Sequence, residues 1–215
     1  MLVLGFIGFS ILWVIAYRFF NPPITSRMVS VWMDRGKLDY VWRDIDEIDR
    51  NLPRAVIAGE DARFCSHNGF DLEGIRHAFE SNLQGKKLKG GSTVSQQTAK
   101  NVFLWSARSW VRKGLEAWFT LLIETIWGKR RIMEVYLNVA EFGIGTFGAD
   151  AATRHYFNHG PQRISKAEAG RLVAVLPSPI KRDAKRPRGY TKKYARNITR
   201  WIRVVKNDQT DFCLN

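Results

Sequence analysis

Glu60 and Asp61 stand side by side at the end of the apolar run Val56-Ile57-Ala58, and Phe64, His67, Gly69 and Asp71 follow closely. A carboxylate delivered by an apolar segment lies in low dielectric, where desolvation raises its pKa and suits it to proton transfer. The same residues also read as a helix C-terminus carrying a solvated acidic pair, with a turn at Asn68-Gly69. A second acidic group, Glu116, sits four residues after Arg112 and three after Lys113. On a helix that spacing makes either a surface ion pair or a carboxylate held among cations beside an anionic ligand. A third set, Gly90-Gly91-Ser92-Thr93-Val94-Ser95-Gln96-Gln97, joins glycines to hydroxyl residues at a helix start, where free backbone N–H groups favour anions. It is not a nucleotide P-loop, because no Lys-Ser/Thr pair follows the second glycine. Cys65 and Cys213 are too few for a disulfide framework and are not spaced as metal ligands, so each is expected as a free buried thiol.

These groups need a scaffold. The chain has 215 residues, enough for one sizeable domain with a real core. Leu2 to Tyr17 carries no charge, Trp13, Tyr17 and Arg18 are placed as interfacial anchors, and Asn21-Pro22-Pro23 breaks the run. This reads as a transmembrane signal anchor over residues 1–20. The chain begins at Met1 directly in the apolar run, so its orientation is not read from flanking charges. Residues 21–43 read as a juxtamembrane linker in which Val29, Val31 and Met33 alternate as a short strand would. The helical period then recurs. It predicts helices from Arg54 to Asp61, from Leu72 to Leu83 after an Asp71 cap, and from the Ser92-Thr93 start to about Leu104. Further helices are predicted over Trp110–Trp127, Ile132–Val139, Ala149–Phe157 and Ser165–Leu176, the last opened by a Ser165/Glu168 capping box.

The stripe expected to be buried on Trp110–Trp127 is Val111, Leu115, Trp118, Leu122 and Ile126. Phe142-Gly143-Ile144-Gly145-Thr146-Phe147-Gly148 predicts a tight turn on a packed surface rather than a dinucleotide fingerprint. Residues 181–215 form a basic C-terminal helix and tail, with Arg196, Arg200 and Arg203 around Ile198, Trp201 and Val204. Lys and Arg total 34 against 20 Asp and Glu, a net charge of +14, which points to an anionic partner: nucleic acid, acidic headgroups or a phosphorylated substrate.

Taken in order, the motifs are Glu60-Asp61-x-x-Phe64-x-x-His67-x-Gly69-Phe70-Asp71, Gly90-Gly91-Ser92-Thr93-Val94-Ser95-Gln96-Gln97, Arg112-Lys113-x-x-Glu116, Glu134-x-Tyr136-Leu137-Asn138 with its glycine turn, and Glu168-Ala169 leading to Leu176-Pro177-x-Pro179. The series resembles the peptidoglycan glycosyltransferase family, glycosyltransferase family 51, from about Asp44 to Pro179. With no transpeptidase domain following, it resembles the monofunctional biosynthetic form.

The resemblance implies a mainly α, lysozyme-like domain over residues 44–180, extended by 181–215 and tethered by one transmembrane helix. It implies polymerisation of lipid II at the outer, periplasmic face of the bacterial inner membrane. By that resemblance Glu60 is the general base for the acceptor 4-hydroxyl, and Glu116 is the second carboxylate, near the donor diphosphate or a divalent cation (Mg or Mn). Lys100, Arg108, Arg112 and Lys113 match the cationic surroundings of the leaving group, and Ser92, Gln96 and Gln97 match donor-side polar contacts. Asp61, Phe64, His67 and Asn138 are expected as supports. The implied partners are lipid II, the growing glycan strand, membrane lipid and other cell-wall synthesis and division proteins, with no nucleic acid. Departures from the family pattern are Ser95 where Thr is common, Cys65 inside the first motif, and Gly170-Arg171 in the small-residue run of the last. Two other readings compete: a lysozyme-like glycan-cleaving enzyme, and a basic module binding membrane or nucleic acid.

Overall fold

The structure is a computed structural model that describes residues 1–74, 76, 91–107 and 109–215. The predicted helix Leu72–Leu83 lies outside these residues beyond its opening turn, as do Gly90 and Arg108. Leu2–Phe19 forms α1, a continuous helix long and apolar enough to cross a membrane. Its backbone groups are satisfied internally, and Leu2, Val3, Leu4, Phe9 and Leu12 are exposed.

The stretch after the proline pair is a helix, not the expected strand. Ser26–Arg35 forms α2, opened by Thr25, whose hydroxyl accepts the Met28 N–H at 3.3 Å, and closed by Gly36 in the left-handed region at φ 64°. Alternation at Val29, Val31 and Met33 lost to a cap at each end and to Met28 and Val31, which bury one helical face. A short strand β1, Asp39–Tyr40, and a 3-10 turn at Ile45–Glu47 lead into α3, Asn51–Gly59. The helix begins three residues earlier than predicted because Asp49 accepts the Asn51 N–H at 2.8 Å, and Pro53 sits inside the first turn.

Val94–Phe103 forms α4, Trp110–Ile126 α5 and Lys129–Val139 α6. The glycine-rich turn is a hairpin of β2, Glu141–Gly143, and β3, Thr146–Phe147, which β1 joins in parallel to give the order β1-β3-β2. Gly145, at φ 67°, makes this sheet feasible: a Cβ there would lie 2.6 Å from the Lys37 carbonyl oxygen. The remaining helices are α7, Gly148–Phe157, α8, Lys166–Val175, and α9, Gly189–Asn207, before a last 3-10 turn at Phe212–Leu214. The predicted Ser165/Glu168 capping box opens α8.

One burial stripe differs from expectation. On α5 the deepest face is Glu116, Phe119, Thr120 and Ile123, whereas Val111 is exposed and Leu115, Trp118, Leu122 and Ile126 are half-buried. This helix has two neighbours: its deep face meets the core, and its aromatic side meets α1, where Trp118 Nε1 donates to Ser10 Oγ at 3.0 Å and Trp127 Nε1 to the Val14 carbonyl at 2.7 Å. On α9 the buried residues are Ala195, Ile198, Ile202 and Val205, leaving Trp201 and Val204 exposed. Gly170 explains that register: a Cβ there would lie 2.8 Å from the Ala195 carbonyl oxygen, so α8 and α9 pack backbone to backbone. Arg171 lays its guanidinium over the Phe157 ring at 4.6 Å, so the departure in the last motif leaves the packing intact.

The cysteines are not free thiols. Cys65 and Cys213 are disulfide-bonded with their Cα atoms 5.5 Å apart. Packing of α9 on α3 returns the C-terminal turn to the corner that carries Cys65, a proximity that a separation of 148 residues conceals.

Candidate active site

Apolar packing of α3, with Leu52, Ala55, Val56 and Ile57 buried, carries the chain to Glu60, its C-terminal cap. Asp61 turns inward. Its Oδ2 accepts the Val94 N–H at 2.9 Å, a free donor of the first turn of α4. His67 Nδ1 accepts the Gly69 N–H at 3.1 Å, so Nε2 carries the ring proton and donates to Asp61, 3.0 Å from each carboxylate oxygen. Asp61 and His67 thus tie the corner to the start of α4. Gly69, at φ 88°, lies so close to α5 that a Cβ would meet Thr120 Cγ2 at 2.7 Å. Phe64 is fully buried beneath the corner, with Lys129 Nζ 4.7 Å from its ring centroid.

The first residues of α4 have two destinations. Thr93 and Gln96 close a reciprocal capping box, with the Thr93 N–H donating to Gln96 Oε1 at 3.0 Å. Gln97 faces Glu60: its Nε2 donates to Glu60 Oε2 at 3.0 Å, while Tyr136 Oη donates to its Oε1 at 3.4 Å. That chain orients the amide so that its N–H points at the carboxylate. Burial pushes the Glu60 carboxyl up; the Gln97 hydrogen bond, Arg182 and Lys100 pull against it, and Asp61 adds to the rise. Burial and the Glu60 charge also push the Tyr194 hydroxyl up to about 12, and Tyr194 Oη donates to the Gly59 carbonyl at 2.6 Å.

A cavity of about 530 Å³ opens beyond Gln97 and Tyr136. Ser92, Gln96, Gln97, Lys100, Arg112, Lys113 and Glu116 all line it. Glu60 does not; it stands one side chain behind the wall, across Gln97. Glu116 is 3% exposed and is gripped by both cations of its own helix, Arg112 at 2.7 Å through one oxygen and Lys113 through the other. Asn138 is not on the wall. Its side chain accepts the Arg43 N–H and donates to the Arg43 carbonyl, each at 2.8 Å, which clamps the segment before α3 onto α6. Arg108 lies outside the described residues.

Five contributors escaped the sequence reading as site residues: Tyr136, Tyr194, Arg182, and the pair Arg27 and Glu141 on the cavity wall. Tyr136 and Glu141 fall within quoted motifs without a signal of their role. Arg27 was obscured when α2 read as a strand.

A divalent cation fits these residues poorly. Both Glu116 oxygens are taken by cations, and among the described residues no three His, Cys, Asp or Glu side chains cluster as a metal would need. The arrangement can accept a proton at a desolvated carboxylate and hold an anionic group at a cationic wall next to it.

Comparison with known proteins agrees with that chemistry. Residues 28–207 match the transglycosylase family. A Caulobacter vibrioides protein named biosynthetic peptidoglycan transglycosylase is 51% identical over 201 residues, covering 94% of this chain and 88% of its own. Proteins of the same name from Xanthomonas campestris pv. campestris and Pseudomonas aeruginosa are 49% and 50% identical over 207 residues, covering 93% and 94% of this chain and 84% and 88% of theirs. The protein is therefore a glycosyltransferase and belongs to the transglycosylase family.

Proposed function

We propose that this enzyme is a peptidoglycan glycosyltransferase that polymerises lipid II into glycan strands. The observation that carries this reading is a desolvated carboxylate, Glu60, one amide away from a cavity walled by Lys100, Arg112 and Lys113. Glu60 takes the proton of the acceptor sugar's 4-hydroxyl, and the oxygen attacks the anomeric carbon of the donor. The bond from that carbon to the diphosphate oxygen breaks, and its electron pair leaves on undecaprenyl pyrophosphate, with inversion at the carbon. Cations at the wall stabilise the charge that develops on the leaving group, so no acid is needed there. The cavity-lining donors Ser92 and Gln96 hold the donor side, and Gln97 aims the base.

A glycan-cleaving enzyme would use its second carboxylate to activate water or to attack the sugar. Glu116, clamped by two cations, is poorly suited to either task. The exposed apolar α1 supports anchoring in the inner membrane, and the Cys65–Cys213 disulfide supports a catalytic domain on its oxidising, periplasmic side. Partners in cell-wall synthesis and division would meet the domain there.

The test is polymer formation from purified lipid II in detergent by wild type and Glu60→Gln, each with and without a chelator. Polymer from wild type and none from a folded Glu60→Gln is the expected result; full activity in Glu60→Gln removes the central assignment. Loss of wild-type activity on chelation, restored by Mg or Mn, would assign a cation to the diphosphate. Release of soluble fragments from finished glycan strands would favour cleavage instead.

A further inference from the structure

Two buried polar atoms on the cavity wall have no hydrogen-bond partner among the described residues: Glu141 Oε1 and Arg112 Nε. Leaving a buried polar atom unpaired is costly, and more so for a charged group, so each calls for a partner beyond the described residues. The third such atom, Arg171 Nε, belongs to the side chain that lies over Phe157, away from the wall.

Glu141 is held in place from two directions. Its backbone opens β2 opposite Phe147, another residue of the wall, and its Oε2 accepts from Arg27 Nε at 3.0 Å. Its side chain is 10% exposed. Arg27 comes from α2, which is itself docked on the wall by Ser26 Oγ donating to the Leu104 carbonyl. With one oxygen held by Arg27, the other has little freedom to turn away.

We propose that Glu141 is a substrate-binding residue whose Oε1 accepts a hydrogen bond from an N–H or O–H of the sugar that bears the diphosphate. A carboxylate is an acceptor only, and an arginine a donor only. A ligand that satisfies both orphans must therefore present anionic oxygen to Arg112 and a hydrogen-bond donor to Glu141. An N-acetylated sugar diphosphate carries both. Inorganic pyrophosphate offers the first but no N–H or O–H of a sugar, and its higher negative charge is repelled by Glu141. Glu141 thus selects sugar-linked diphosphate over free diphosphate, and Arg27 positions it. This inference rests on the glycosyltransferase reading for the identity of the ligand.

The experiment measures equilibrium binding of two probes, a short-chain lipid II and inorganic pyrophosphate, to the full chain and to Glu141→Ala, Glu141→Gln and Arg27→Met. Glu141→Ala is expected to weaken lipid II binding about tenfold and to tighten pyrophosphate binding, reversing the preference. Glu141→Gln keeps an acceptor oxygen without the charge, so it should hold lipid II within about threefold and still tighten pyrophosphate. Arg27→Met should retain the preference for the sugar-linked probe. Equal weakening of both probes by Glu141→Ala and Arg27→Met would reduce Glu141 to a latch for α2 and overturn the proposal, as would lipid II binding within twofold of wild type in Glu141→Ala. Should Glu141→Ala fail to fold, the Glu141→Gln arm decides alone: unchanged pyrophosphate binding refutes selection. Wild type that shows the preference but forms no polymer would strike the lipid II polymerase reading and leave Glu141 in place.

Discussion

Glu60 and Glu116 are two carboxylates withdrawn from water on either side of the same cavity wall, and the protein treats them oppositely. Glu116 is matched within its own helix by Arg112 and Lys113, one to each oxygen. Among the described residues Glu60 receives a single side-chain hydrogen bond, from a neutral amide, and burial raises its pKa. A carboxylate matched by charge is a fixed element of an electrostatic surface, whereas one that is desolvated and only lightly bonded gains from taking a proton. The contrast separates a base from a charge organiser without reference to sequence position. It also separates Glu60 from its neighbour Asp61, whose oxygens are taken by the Val94 N–H and the His67 ring.

Exchanging the two environments is the strongest way to break the contrast. Glu60→Gln should cut polymerisation roughly 10³-fold, the scale of a lost general base. Its stability should move the other way. A buried carboxyl with a raised pKa adds stability below the ordinary carboxylate pKa and loses it as pH rises through the raised value. At pH 7 the variant should therefore melt at or above wild type, with the difference fading toward pH 4; a lower melting temperature at pH 7 would show that the Glu60 charge is stabilised by the fold.

Arg112→Met should reduce kcat/KM about 100-fold, as for loss of one donor to a developing anion, and should destabilise the fold by leaving buried Glu116 with one partner. Activity unchanged in this variant would remove Arg112 from the diphosphate site. Gln97→Ala sharpens the comparison from the other side. Its amide lowers the Glu60 pKa, so its loss should move the acid limb of the pH–rate profile upward and cost about tenfold at pH 7, with a smaller deficit at higher pH. A pH-independent loss would assign Gln97 to substrate alone. The smallest effect on turnover is expected from Cys213→Ser, which should lower stability by about 2–5 kcal/mol in denaturant titrations yet leave activity at 25 °C within about threefold. A large kinetic loss at full folding would show that the disulfide shapes the corner around Glu60.

The acidic corner, the Arg112/Glu116 spacing and the hydroxyl-rich start of α4 were legible because each lies within a few residues of chain, where helical geometry converts spacing into proximity. Thr93 and Gln96 illustrate the limit: local chemistry marks a polar helix start, and the structure commits the Gln96 amide oxygen to the cap and the Gln97 amide to Glu60. On α5 an apolar stripe was correctly periodic yet was not the deepest face, since periodicity does not distinguish a core from the neighbouring α1. The strand expected at Val29 to Met33 failed because two caps outweighed an alternation of only three residues.

The residues alone, through apolar length, helical period, capping signals and an ordered motif set, settle the helical class, the apolar N-terminal helix and the family resemblance; these rest on short-range geometry. Packing decided the pairs that meet across the chain: Cys65 with Cys213, Arg27 with Glu141, Glu60 with Gln97. It also decided that burial raises the Glu60 pKa, because burial belongs to all the elements around a group and not to the residues beside it in sequence.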